Sequence, residues 1–105
     1  MRIYPHYISF NAKAVSLLNL KEGDAVSIMQ DDRDGYIYVS NNPDAKVAYG
    51  VRKHNTTMEV SSAPLCRKLA EQMEGCGAYR ICEEECIEFM GRNYYNIFAK
   101  KYGKD

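Results

Sequence analysis

Three consecutive basic residues, Arg52, Lys53 and His54, form a local run of positive charge that Lys46 and the pair Lys100 and Lys101 can extend. Such a run suits neutralisation of phosphates with release of their counterions. A solvated hairpin tip accounts for the same residues. Tyr36, Tyr38, Tyr49, Tyr79, Tyr94 and Tyr95 offer a second chemistry, a platform on which unpaired bases stack. Tyrosine is also a strong strand former, so sheet surface explains most of them equally well. Asp31, Asp32 and Asp34 before Gly35 look like the opening of a calcium loop, but the later glutamate is missing and ordinary turn chemistry suffices. Glu83-Glu84-Glu85 cannot aim three neighbouring carboxylates at one point from a strand or turn, and reads as a solvated acidic turn. No Ser-His-Asp order, nucleophile elbow, phosphate-cradling glycine loop or metal triad occurs. The chain reads as a non-enzyme with no cofactor and no metal site.

Lys plus Arg and Asp plus Glu number 14 each, so any attraction to nucleic acid must come from a local patch and not from net charge. At 105 residues the chain fits one domain with one core. The segment from Met1 to Phe10 lacks the apolar run of a signal peptide, and no later run approaches the roughly 20 residues that span a bilayer; the expectation is a soluble cytoplasmic protein without a membrane partner. The four cysteines, Cys66, Cys76, Cys82 and Cys86, lack the close pairing of a zinc site and read as reduced thiols. Cys82 and Cys86 flank the glutamates, and pairing in air is the alternative.

The elements that must position these residues come in a repeated order. Residues 3 to 10 alternate as a strand whose later positions turn inward, Pro5 holding its start near an edge. Asn11 caps a short helix ending at Leu20, and Gly23-Asp24 turns into strands 25–30 and 35–40, joined through Asp34-Gly35. Asn41-Asn42-Pro43-Asp44 is a loop between halves. Residues 46–54 then read as a strand, with Val47, Tyr49 and Val51 on one face, and 58–60 as its return. Ser61 or Ser62 caps a second helix that tolerates Pro64 in its first turn and carries the apolar stripe Leu65, Cys66, Leu69, Ala70 and Met73. Strands at 78–83, 86–90 and 94–100 follow, and residues 102–105 fray. The period is about fifty residues, with repeats at about 3–41 and 46–100, as expected of units that cannot each bury an apolar face alone.

Leu17-Leu18-Asn19-Leu20-Lys21-Glu22-Gly23-Asp24-Ala25-Val26 resembles the helix-to-strand passage of the AbrB and MazE type swapped-hairpin family. The resemblance covers residues 8–40 well and 46–99 loosely. It implies an α+β, mostly β fold: a small β-barrel of two interleaved β-α-β-β units with two short helices, here on one chain as a pseudo-dimer, or as a homodimer. It also implies DNA binding through basic residues on the turn before the helix-entering strand. The matching residues are Arg52, Lys53 and His54 in the second unit and Arg2 and His6 in the first; Lys13, Arg67 and Lys68 occupy the helices. Two functions from different classes follow. One is a small DNA-binding regulator contacting phosphates through Arg52, Lys53, His54, Arg67, Lys68 and Arg2. The other is a protein-interaction or assembly module that binds no nucleic acid.

Overall fold

The computed structural model describes residues 1–33 and 35–97. The expectations about Asp34, Lys100, Lys101 and the last residues lie outside these. The elements in chain order are β1 (Arg2–Ile3), β2 (Tyr7–Phe10), α1 (Ala12–Leu18), β3 (Ala25–Gln30), β4 (Ile37–Asn41), β5 (Tyr49–Gly50), β6 (Arg52–His54), β7 (Thr57–Ser61), α2 (Ala63–Gln72), β8 (Gly77–Ala78), β9 (Ile81–Phe89) and β10 (Arg92–Ile97). They make a mostly β, α+β fold of two five-stranded antiparallel sheets, ordered β6-β7-β2-β1-β8 and β5-β3-β4-β10-β9. At both margins one stretch of chain passes from sheet to sheet. Residues 49–54 leave the second sheet as β5 and enter the first as β6, and residues 77–89 leave the first as β8 and enter the second as β9.

The central pairs of both sheets join distant parts of the chain. In the first, Ile8 faces Val60 and Phe10 faces Met58 across β2 and β7. All four side chains are buried, because alternation sends every second residue of both strands to the same side. In the second, β4 pairs with β10, Val39 facing Tyr95. Ala14 and Leu18 of α1, and Leu65, Cys66 and Leu69 of α2, complete the core between the inner faces. Burial pushes the Cys66 thiol above its ordinary value, which keeps it an inert, neutral core residue.

Local chemistry sets the boundaries. The Asn11 side chain accepts from Ala14 N–H at 2.9 Å and the Ser62 hydroxyl from Leu65 N–H at 3.3 Å, so both helices start at capped donors. α1 stops at Asn19, whose φ of 52 is left-handed, and the Asn41 amide from β4 donates to the free carbonyls of Leu18 and Asn19 at 3.2 and 3.1 Å. Gly23, at φ 95, lets the chain double back so that the Asp24 carboxylate accepts from Lys21 N–H at 2.9 Å. The loop after β4 is held by the second half: Arg92 reaches Asn41 O at 3.3 Å and Asp44 at 3.1 Å, and the Asn42 amide donates to the Tyr94 hydroxyl at 3.1 Å.

Several sequence expectations are corrected here. Residues 3 to 10 are a hairpin and not one strand, because Tyr4 N–H bonds Tyr7 O at 2.9 Å and reverses the chain at Pro5-His6. Residues 46–54 do not form one strand either: pairing starts at Tyr49, and the chain changes sheets at buried Val51. Glu83-Glu84-Glu85 is no turn between two strands. β9 runs through it, and these three residues bulge out where Tyr95 pairs with Cys86 but the next residue, Asn96, pairs with Cys82. Of the tyrosines read as a stacking platform or sheet surface, Tyr38 is buried and Tyr36 is exposed.

Tyr79 ties the β8–β9 passage to α2. Its backbone N–H donates to Met1 O at 2.8 Å, while its hydroxyl donates to Gly75 O at 2.6 Å and accepts from Glu74 N–H at 2.9 Å, sealing the helix end. Burial raises its phenol above the ordinary value. The folded state therefore holds this proton more tightly than the unfolded chain, a contribution present below about pH 10 and lost as pH rises beyond it. Tyr79→Phe is expected to lose about 1–2 kcal/mol in urea denaturation at neutral pH and to flatten the alkaline fall in stability.

Candidate nucleic-acid interface

The outer face of the first sheet is where candidate residues meet. Register places Arg52 opposite Glu59, Glu59 opposite Ser9, Ser9 opposite Arg2, and Arg2 opposite Ala78, one row across all five strands. The neighbouring row, with Phe10 and Met58, is buried, so alternation turns the Arg52–Arg2 row outward. Arg2 and Arg52 thus stand three strand spacings apart, about 14 Å at roughly 4.8 Å each. His54 shares the outward parity of Arg52, and its Nδ1 lies 3.5 Å from a Glu59 carboxylate oxygen. Lys53, opposite buried Met58, has the reverse parity and lies on the margin strand, where it remains exposed.

Arg67 and Lys68 are exposed on α2, whose buried residues join the core on the sheet's inner side, so they do not extend the row. Among the described residues the side chains of Arg52, Lys53, Arg67 and Lys68 make no ion pair or hydrogen bond, which leaves their charges available to a ligand.

Two features escaped the sequence reading because they depend on the β1–β2 hairpin. Tyr4 and Tyr7 stack with ring centroids 4.4 Å apart, and the Arg2 guanidinium lies 5.9 Å from the Tyr4 ring centre. Burial first, then Tyr4 and Glu59, raise the Tyr7 phenol, so the face gains no tyrosinate at neutral pH. Beside this face a groove of about 690 Å³ runs between α1 and the β1–β8–β9 margin, with Arg2, Lys13, Arg80, Glu83 and Glu84 among its lining residues. Alternation of residues 2, 4, 7 and 9 was a signal for the exposed row; the turn at Pro5-His6 was the missing piece.

Charge is unevenly divided among the strands. Strands β1, β2, β6 and β7 hold Arg2, Arg52, Lys53 and His54 against the single acid Glu59, whereas β9 holds Glu83, Glu84, Glu85 and Glu88 and no base. The zero net charge therefore conceals a local field of each sign. Cys82 is buried and Cys86 exposed, and all four thiols are free. Among the described residues no three His, Cys, Asp or Glu side chains gather in a group that could hold a metal ion, and no helix is long and apolar enough to cross a membrane. No family model, no curated protein and no solved structure matches this chain.

The row makes a simple electrostatic prediction for any polyanion. On a heparin column, Arg52→Ala should elute at lower salt than the parent protein and Glu59→Gln at higher salt. Arg67→Ala, off the row, should move elution less than Arg52→Ala.

Proposed function

We propose that this chain is a small DNA-binding regulator of the AbrB-like type, folded as a single-chain pseudo-dimer. On this reading β1-β2-α1-β3-β4 and β6-β7-α2-β9-β10 are two equivalent units. The order of each sheet supports it: β6-β7-β2-β1 and β3-β4-β10-β9 read the same from either end once the units are exchanged. On this reading the two sheets are the walls of one flattened barrel; the passages at 49–54 and 77–89, where one stretch of chain serves both sheets, support it.

The observation that carries the function is the matched placement of Arg2 and Arg52. Each stands on the outer strand of its hairpin, in one outward row, on opposite sides of the β2–β7 axis. A pseudo-two-fold pair of phosphate contacts is what a two-fold duplex surface requires. His54 sits beside Glu59, its Nδ1 3.5 Å from the one carboxylate inside the row. Tyr4 and Tyr7 add hydroxyl donors of the kind that position a backbone. The function needs no chemical step, cofactor or metal, and fits a cytoplasmic protein. The assembly-module reading draws on Glu59 inside the row and on Arg67 and Lys68 lying away from it.

The deciding experiment is fluorescence anisotropy of a labelled mixed-sequence duplex across a salt series. Binding should weaken steeply with salt, and Arg2→Ala/Arg52→Ala should reduce the slope of log K against log salt by about 2, one counterion-releasing contact per arginine. No binding by the parent protein at low salt would sink the regulator and leave the assembly module.

A further inference from the structure

Each sheet ends on one side in a two-residue strand, β8 or β5, from which the chain runs on into the other sheet. On the other side each ends in a longer strand, β6 or β9, that nothing pairs among the described residues. Such an edge carries backbone donors and acceptors without a ladder partner. Because β5 leads into β6 and β8 into β9, the two open edges lie on opposite margins of the molecule. Four strand spacings separate β6 from β8, about 19 Å at roughly 4.8 Å each, so one molecule cannot bring its own open edges together.

The two edges differ in sign. β6 is Arg52-Lys53-His54, all exposed, and its nearest acid, Glu59, stands one strand further in. β9 exposes Glu83, Glu84, Glu85 and Glu88 and holds no base. The side chains of Arg52, Lys53, Glu83, Glu85 and Glu88 make no ion pair or hydrogen bond among the described residues.

We propose that copies of this chain associate head to tail, the basic β6 edge of one against the acidic β9 edge of the next. A two-fold contact between edges would set β6 on β6 or β9 on β9 and oppose like charges. Only the unlike contact is complementary, and repeated between opposite margins it builds an open row of molecules. The Glu83–Glu85 bulge interrupts the ladder face of β9, which keeps the contact short and leaves side-chain charge to carry it. The association is therefore weak and salt-sensitive. It goes beyond the regulator reading and does not depend on it, although a polyanion on Arg52 and Lys53 would occupy the same edge.

Sedimentation velocity from about 1 μM to about 1 mM protein covers weak to moderate contacts. It is run at about 10 mM and about 150 mM salt, where charges act over about 30 Å and about 8 Å. At the lower salt the parent protein should form species that grow past the dimer with concentration, and at the higher salt the association should weaken about tenfold or more. Arg52→Ala/Lys53→Ala disables the basic edge and Glu83→Gln/Glu84→Gln/Glu85→Gln the acidic one. Each variant alone should be monomeric, and the two mixed in equal amounts should give a heterodimer and nothing larger. Arg67→Ala/Lys68→Ala removes the same charge as the first variant but from α2, away from both edges, and should associate as the parent does. A parent protein monomeric throughout at the lower salt, a mixture without heterodimer, or an Arg67/Lys68 variant that loses as much as the Arg52/Lys53 variant overturns the proposal. No nucleic acid is present in any arm, so failure here is separate from failure of the duplex titration.

Discussion

The pairing of β2 with β7 is the contact on which the rest of the molecule depends. Phe10, Met58, Ile8 and Val60 are buried in facing pairs at that seam, and α1 and α2 both start within two residues of it, after Phe10 and Ser61. Without β7, β2 would retain only the two-residue β1 as a partner, far below the size at which a hairpin is stable in water. The β4–β10 pair repeats the arrangement in the second sheet. Each half contributes only part of each sheet, so the two halves complete one another's sheets. Their covalent linkage makes the encounter intramolecular and removes its dependence on protein concentration.

Polar side chains extend this mutual dependence beyond the ladders. The Tyr94 hydroxyl, from the last described strand, donates to Ser27 at 3.0 Å and accepts from Asn42 at 3.1 Å, reaching across β4 to β3. The small side chains of Ser27 and Ser40, paired across β3 and β4, leave room for its ring. Arg92 clamps the loop at Asn41 and Asp44, and Asn41 in turn closes the end of α1. A loop that reads as flexible punctuation is therefore fixed by residues fifty positions later. No buried side-chain nitrogen or oxygen among the described residues lacks a partner, which is how a polar layer on the outer side of the second sheet is tolerated.

The exposed edges show the same economy. β6 is three residues long and entirely basic, and β9 carries a triple-glutamate bulge, so each discourages pairing with a copy of itself. These devices also divide the charge of a neutral chain into a basic sheet face and an acidic strand. The potential at Arg52 is set by that division and by Glu59, and at Arg2 also by Glu83 and Glu84 of the groove it lines, not by the sum over the sequence.

Much of the architecture was legible in the chain. Alternation over 7–10 and 57–61, the caps at Asn11 and Ser62, the Gly23-Asp24 turn and the apolar stripe of α2 each follow from interactions spanning a few residues, and composition records such interactions directly. The basic run at 52–54 was visible for the same reason. Which basic residues share a face was not: Arg2 joins Arg52 through three cross-strand registers, Lys53 takes the opposite parity, and Arg67 sits beyond the core. The hairpin at Pro5-His6, the sheet change at Val51, the bulge at Glu83–Glu85 and the burial of Tyr38 likewise depend on which strand lies alongside. Local sequence determined the elements because backbone sterics and capping act over one turn. Tertiary structure alone decided the face, because cross-strand register is a property of two segments and is written in neither of them.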